Sequence, residues 1–134
     1  MGAFGRLEPA LQEKIVHTLG WTTLRLVQEM TIDAVLDGNN CVVLAPTAGG
    51  KTEASVFPAL SGCLTNQEPG VRILYICPTK ALLNNQENRL SRYAEMVGLR
   101  AFKWHGDVKP SAKNVFTREP AELLLTTPES LEVM

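Results

Sequence analysis

The octapeptide Ala45-Pro46-Thr47-Ala48-Gly49-Gly50-Lys51-Thr52 constrains this chain more than any other feature. An apolar run rich in β-branched residues, Cys41-Val42-Val43-Leu44-Ala45, precedes it. The residues that follow, 52–64, carry a helical pattern interrupted by Pro58. Strand, small-residue loop and helix in that order make a phosphate cradle. Small residues let backbone N–H groups curl around the anion, and the helix points its positive end at it. Lys51 can reach the outer phosphates, and the Thr52 hydroxyl can ligate Mg²⁺. The general pattern for such loops opens with Gly; here Ala45 stands in that place.

The rest of the chain supplies the frame this loop needs. Residues 7–19 and 24–37 hold apolar side chains at helical spacing and end at Gly20 and Gly38. Residues 41–45 read as a buried parallel strand, and 71–77 and 99–104 as further strands. The helix expected over 80–97 closes at Gly98. A shorter helix over 111–118 takes Ser111 as its cap. A last strand spans 122–126, and Pro128 opens a final helix. Strands alternating with helices predict an α/β fold with a parallel sheet.

Composition narrows the function classes. The chain has 134 residues, a hydrophobic fraction of 45% and a net charge of −1, which fits one well-packed domain and argues against disorder. The charge is unevenly placed: residues 1–70 carry −3, 71–118 carry +6 and 119–134 carry −4. The basic section is either a solvated face or a surface for a polyanion. Cys41, Cys63 and Cys77 form no metal or redox spacing and read as buried free thiols of a reducing compartment. His17 and His105 are too far apart to suggest a metal site. No apolar stretch approaches membrane-spanning length, and a cytoplasmic location without membrane contact is expected.

The loop and four further segments resemble the superfamily 2 DEAD/DEAH-box helicases, whose first motif reads much like A-x-T-G-S-G-K-T. Ala45, Thr47, Gly50, Lys51 and Thr52 keep that pattern; Ala48 and Gly49 depart from it. Gln28, 17 residues before Ala45, sits in a segment similar to the family's Q motif, whose carboxamide reads adenine. Leu26 replaces the usual Pro there. Pro78-Thr79-Lys80 resembles motif Ia, Gly106-Asp107 the loop before motif Ib, and Thr126-Thr127-Pro128-Glu129 motif Ib itself. The wording is nearest to the Lhr-like, large-helicase-related branch, with RecQ-like helicases second.

The resemblance implies the N-terminal part of a RecA-like motor domain, incomplete at its C-terminus. It divides into a helical Q-motif region over 1–38 and a P-loop α/β core over 39–134. It implies ATP and Mg²⁺ as ligands, held by Gln28 and residues 45–52, with Lys51 and Thr52 as the catalytic pair. Its implied partner is single-stranded DNA or RNA, gripped by its backbone at Pro78, Thr79, Lys80, Gly106, Asp107, Thr126, Thr127, Pro128 and Glu129. No Asp follows Asp107, so the family's motif II acid is not in this sequence, and the intact parent rather than this chain alone is expected to turn over ATP. A small P-loop nucleotide kinase and a non-catalytic nucleotide-binding module are the rival readings.

Overall fold

The structure, a computed structural model, describes residues 2–46 and 50–134. The chain divides into two compact units, residues 1–67 and 68–134.

The first unit is helical. α1 (Ala3–Arg6) and α2 (Pro9–His17) lead to α3 (Leu26–Leu36), and α4 (Lys51–Thr65) starts directly after Gly50. Its core is the apolar stripe of these helices: Leu7, Leu11, Ile15, Ile32, Val56, Phe57 and Leu60 are buried. Burying a side chain of that size stabilises a fold by about 1.5–3 kcal/mol. Trp21 leans on Phe57 with ring centroids 5.4 Å apart. Arg6 ties α1 to α3 through Asp33 at 2.9 Å and Asp37 at 2.6 Å. Pro58 lies inside α4, which spans the single helix expected over 52–64.

The strand expected over 41–45 is absent. Residues 41–46 have no regular structure, Val42 and Leu44 are each 85% exposed, and Cys41 is exposed rather than buried. A β-branched run favours a pleated surface, yet a strand exists only where a neighbour completes its ladder. Among the described residues none pairs with this segment. The expectation of buried thiols holds for Cys63 and Cys77. Burial pushes the Cys77 thiol above its ordinary value.

The second unit is an α/β unit built on a parallel sheet. β1 (Ile73–Ile76), α5 (Lys80–Met96), β2 (Ala101–Trp104), α6 (Pro110–Arg118), β3 (Leu123–Thr126) and α7 (Pro128–Val133) follow in chain order. The sheet order is β1-β3-β2, parallel throughout, with Ile73 and Ala101 both in register with Leu123. β3 is central, and its Leu-Leu-Leu-Thr is buried on both faces, the continuous apolar run a parallel strand needs. Leu83, Leu90 and Ala94 of α5 complete this core. α6 begins at Pro110, not Ser111. Lys109 holds the cap position without a side-chain bond, because proline's fixed φ suits the first helical position.

Candidate nucleotide and strand-binding sites

In the first unit the site is made largely of backbone. Gly50 caps α4 with φ +79°, and Lys51 and Thr52 are the first two residues of the helix. The cap has no side chain, so the opening amides of α4 receive no side-chain cap and point toward whatever the loop holds. Lys51 is exposed and Thr52 half-buried. Gln28 sits against Gly50, 3% exposed. Its Oε1 accepts the Arg25 N–H at 2.9 Å, and its Nε2 donates to the Gly50 carbonyl at 3.3 Å. A Cβ on Gly50 would meet that Nε2, the movable end of the Gln28 side chain, so it is the left-handed backbone that requires glycine here. Ala45 is half-buried and Pro46 exposed. Thr47, Ala48 and Gly49 lie outside the described residues.

The second unit carries a site made of side chains. Lys80 opens α5 directly after the capping residue Thr79, whose hydroxyl accepts the Leu82 N–H at 3.2 Å. Lys80, Gly106, Thr127, Glu129, Ser130 and Val133 line one open depression of about 490 Å³. Segments far apart in sequence, after β1, β2 and β3, thus meet at the carboxyl ends of parallel strands, where open α/β sheets gather ligands. Pro78, Thr79 and Pro128 are exposed.

Two residues stand differently from their expected parts. The Thr126 side chain is fully buried, and its hydroxyl donates to the Trp104 carbonyl at 2.8 Å. It fastens β3 to β2 and offers nothing to a ligand. The Asp107 carboxylate lies 2.8 Å from Lys80 Nζ, and its N–H goes to His105 Nδ1 at 3.1 Å. The ammonium holds the Asp107 carboxyl below its ordinary value. Asp107 therefore faces Lys80. Thr127 caps α7, accepting the Ser130 N–H at 3.3 Å.

The profile of the DEAD/DEAH box helicase family matches residues 25–134. The chain belongs to the DEAD/DEAH box helicases. It is 36% identical over 116 residues to the Lhr helicase/probable uracil glycosylase of Mycolicibacterium smegmatis, covering 75% of this chain and 8% of that protein. It is 26% identical over 132 residues to DEAD-box ATP-dependent RNA helicase 26 of Arabidopsis thaliana, covering 91% of this chain and 15% of the relative. The solved Mycobacterium smegmatis helicase Lhr, bound to ssDNA and AMP-PNP, superposes with a TM-score of 0.83 at 29% identity, over all of this chain and 18% of that one. The ADP-bound RNA-helicase Prp28 of Chaetomium thermophilum gives 0.80 at 25% identity, over 96% of this chain and 32% of that one. The chain thus has the RecA-like helicase fold and spans under a third of each of these proteins.

For this helicase-family chain, sequence reasoning overlooked some residues. A cleft of about 280 Å³ in the first unit is lined by Phe4, Val16, Trp21, Thr22, Thr23 and Leu24, among others. Phe4 comes from α1, which no pattern predicted because four residues hold too little periodicity. His105, which offers no metal spacing with His17, accepts the Asp107 N–H and anchors that residue. No group of His, Cys, Asp or Glu able to hold a metal occurs among the described residues. No helix among them is long and apolar enough to cross a membrane.

Proposed function

We propose that this chain is the nucleotide-binding part of an ATP-dependent helicase and carries part of its strand-binding surface. One observation carries the reading: Gly50-Lys51-Thr52 opens α4 with a left-handed glycine fastened to Gln28. The loop over 45–52 wraps the phosphates of ATP, with Lys51 on the outer phosphates and Thr52 on the accompanying Mg²⁺. Mg²⁺ supplies charge neutralisation at the phosphates when bound. Gln28 spends one N–H on Gly50 and one lone pair on Arg25. It keeps a second N–H and a second lone pair for the edge of adenine.

Lys80, Thr79, Gly106 and Thr127 take the phosphates of a single strand, RNA or DNA, with Pro78, Pro128 and Glu129 shaping the rim. A Lys and hydroxyls are phosphate ligands without base information, so binding is independent of sequence. Similarity to a helicase solved with ssDNA and AMP-PNP supports both ligands. A cytoplasmic site of action completes the reading.

The test is a titration of fluorescent ATP against wild type and Lys51→Ala. Loss of a charge-assisted contact is worth about 2–3 kcal/mol. That is about 30- to 150-fold in Kd. Equal affinities would place the nucleotide elsewhere.

A further inference from the structure

His105 closes β2 and has no part in the contacts proposed above. It is 5% exposed, while Gly106 and Asp107 beside it are exposed. Its Nδ1 accepts the Asp107 N–H at 3.1 Å, which puts the ring proton on Nε2. Nε2 is buried and has no hydrogen-bond partner among the described residues. Leaving a buried donor unpaired is costly, so the placement of this ring is bought by something else. What it secures is a tight loop, closed again by the Val108 N–H on the His105 carbonyl at 3.1 Å. That loop delivers the Asp107 carboxylate onto Lys80 Nζ at 2.8 Å. Lys80 is the cation of the strand-facing depression, and Asp107 shields it.

We propose that His105 is a positioning residue that keeps Lys80 masked: by accepting the Asp107 N–H it fixes that carboxylate on Lys80, and a strand phosphate reaches Lys80 only by displacing Asp107. The inference rests on the reading of Lys80 as a phosphate ligand. Its chemistry includes a proton dependence. A proton on Nδ1 turns the acceptor into a donor facing the Asp107 N–H, and the loop lets go. The charged groups facing the ring are Lys103 of β2, Asp107 of the loop, Lys80 of α5 and Lys113 of α6. Burial first, then these lysines, hold the imidazole below its ordinary value, with Asp107 opposing. The masked state therefore prevails at neutral pH.

Fluorescence anisotropy with a short labelled oligodeoxythymidylate at low salt tests it. His105→Leu removes the acceptor and tightens binding by about threefold, the scale of one exposed ion pair. His105→Asn keeps an acceptor in place of Nδ1 and binds like wild type. On an Asp107→Asn background, His105→Leu has no further effect. Lowering the pH from about 7.5 to about 5.5 tightens wild type more than His105→Asn, because only wild type titrates there. His105→Leu binding no better than wild type, or equal pH responses of wild type and His105→Asn, overturns the proposal. Should His105→Leu fail to fold, the pH comparison decides by itself. Lys80→Ala separates the two readings: unchanged affinity removes Lys80 as a phosphate ligand and this inference with it. A loss there beside silent His105 variants overturns the inference alone.

Discussion

The two units hold their candidate ligands by different means. The proposed nucleotide site rests on backbone: a left-handed Gly50, the start of α4 without a side-chain cap and the buried Gln28 carboxamide bonded to Gly50. The proposed strand site is built from exposed side chains, with Lys80 and Asp107 open to solvent by 52% and 71%. A backbone cradle depends on exact geometry and tolerates little substitution. An exposed ion pair is worth little and is screened by salt. The comparison predicts geometric sensitivity in the first unit and ionic sensitivity in the second.

Gly50→Ala is the severest test of this contrast. It forces an L-residue to φ +79° and drives a methyl group into Gln28 Nε2. The backbone penalty alone is about 1–2 kcal/mol. Nucleotide affinity should fall by at least tenfold in a titration, with a lower melting temperature. An unaffected variant would mean that the loop is not held as tightly as described. Gln28→Ala comes next. It removes partners from Gly50 and Arg25 at about 1 kcal/mol per bond, and it removes the adenine edge contact. The preference for ATP over GTP should vanish; a preference that survives would take the base-reading role from Gln28.

The second unit should respond to salt instead. With two or three phosphates neutralised, log K should fall against log salt with a slope of about −1.5 to −2. Lys80→Ala should cut the slope by about 0.7 and affinity by about 1 kcal/mol or less. Anisotropy at several salt concentrations reads both, and salt-independent binding would leave the basic section a solvated face. The smallest effect is on stability against pH. His105 is held below its ordinary value when folded, so the unfolded chain takes up protons first. Stability should be full above about pH 6.5 and decline as the pH falls through the lowered folded value. His105→Asn should flatten that decline in melting curves; an unchanged decline would assign it to other groups.

Much of this was legible in the sequence because the signals are local. Leu-Leu-Leu-Thr between polar residues has the short apolar run of a buried strand, and β3 lies within a residue of its expected span. Thr79, Thr127 and Pro128 announce the starts of α5 and α7 for the same reason. What escaped depends on partners distant in the chain. Residues 41–45 have the composition of a strand without a paired neighbour among the described residues. Thr126 looked like a phosphate ligand until its hydroxyl was found on Trp104, 22 residues away. The Lys80–Asp107 pair joins residues 27 apart, and no spacing rule announces it. The resemblance gives Gln28 an adenine contact. Its bond to Gly50 makes it part of the loop as well.

The claim that nucleotide and strand occupy separately built sites is tested most directly by amide chemical shifts. ATP with Mg²⁺, and separately a short oligonucleotide, would be titrated into ¹⁵N-labelled protein. The account predicts that nucleotide shifts the amides of Gly50, Lys51 and Thr52 and the side-chain amide of Gln28, while the oligonucleotide shifts Lys80, Gly106 and Thr127. Nucleotide that moves the second group and leaves Gly50, Lys51 and Thr52 in place would contradict it.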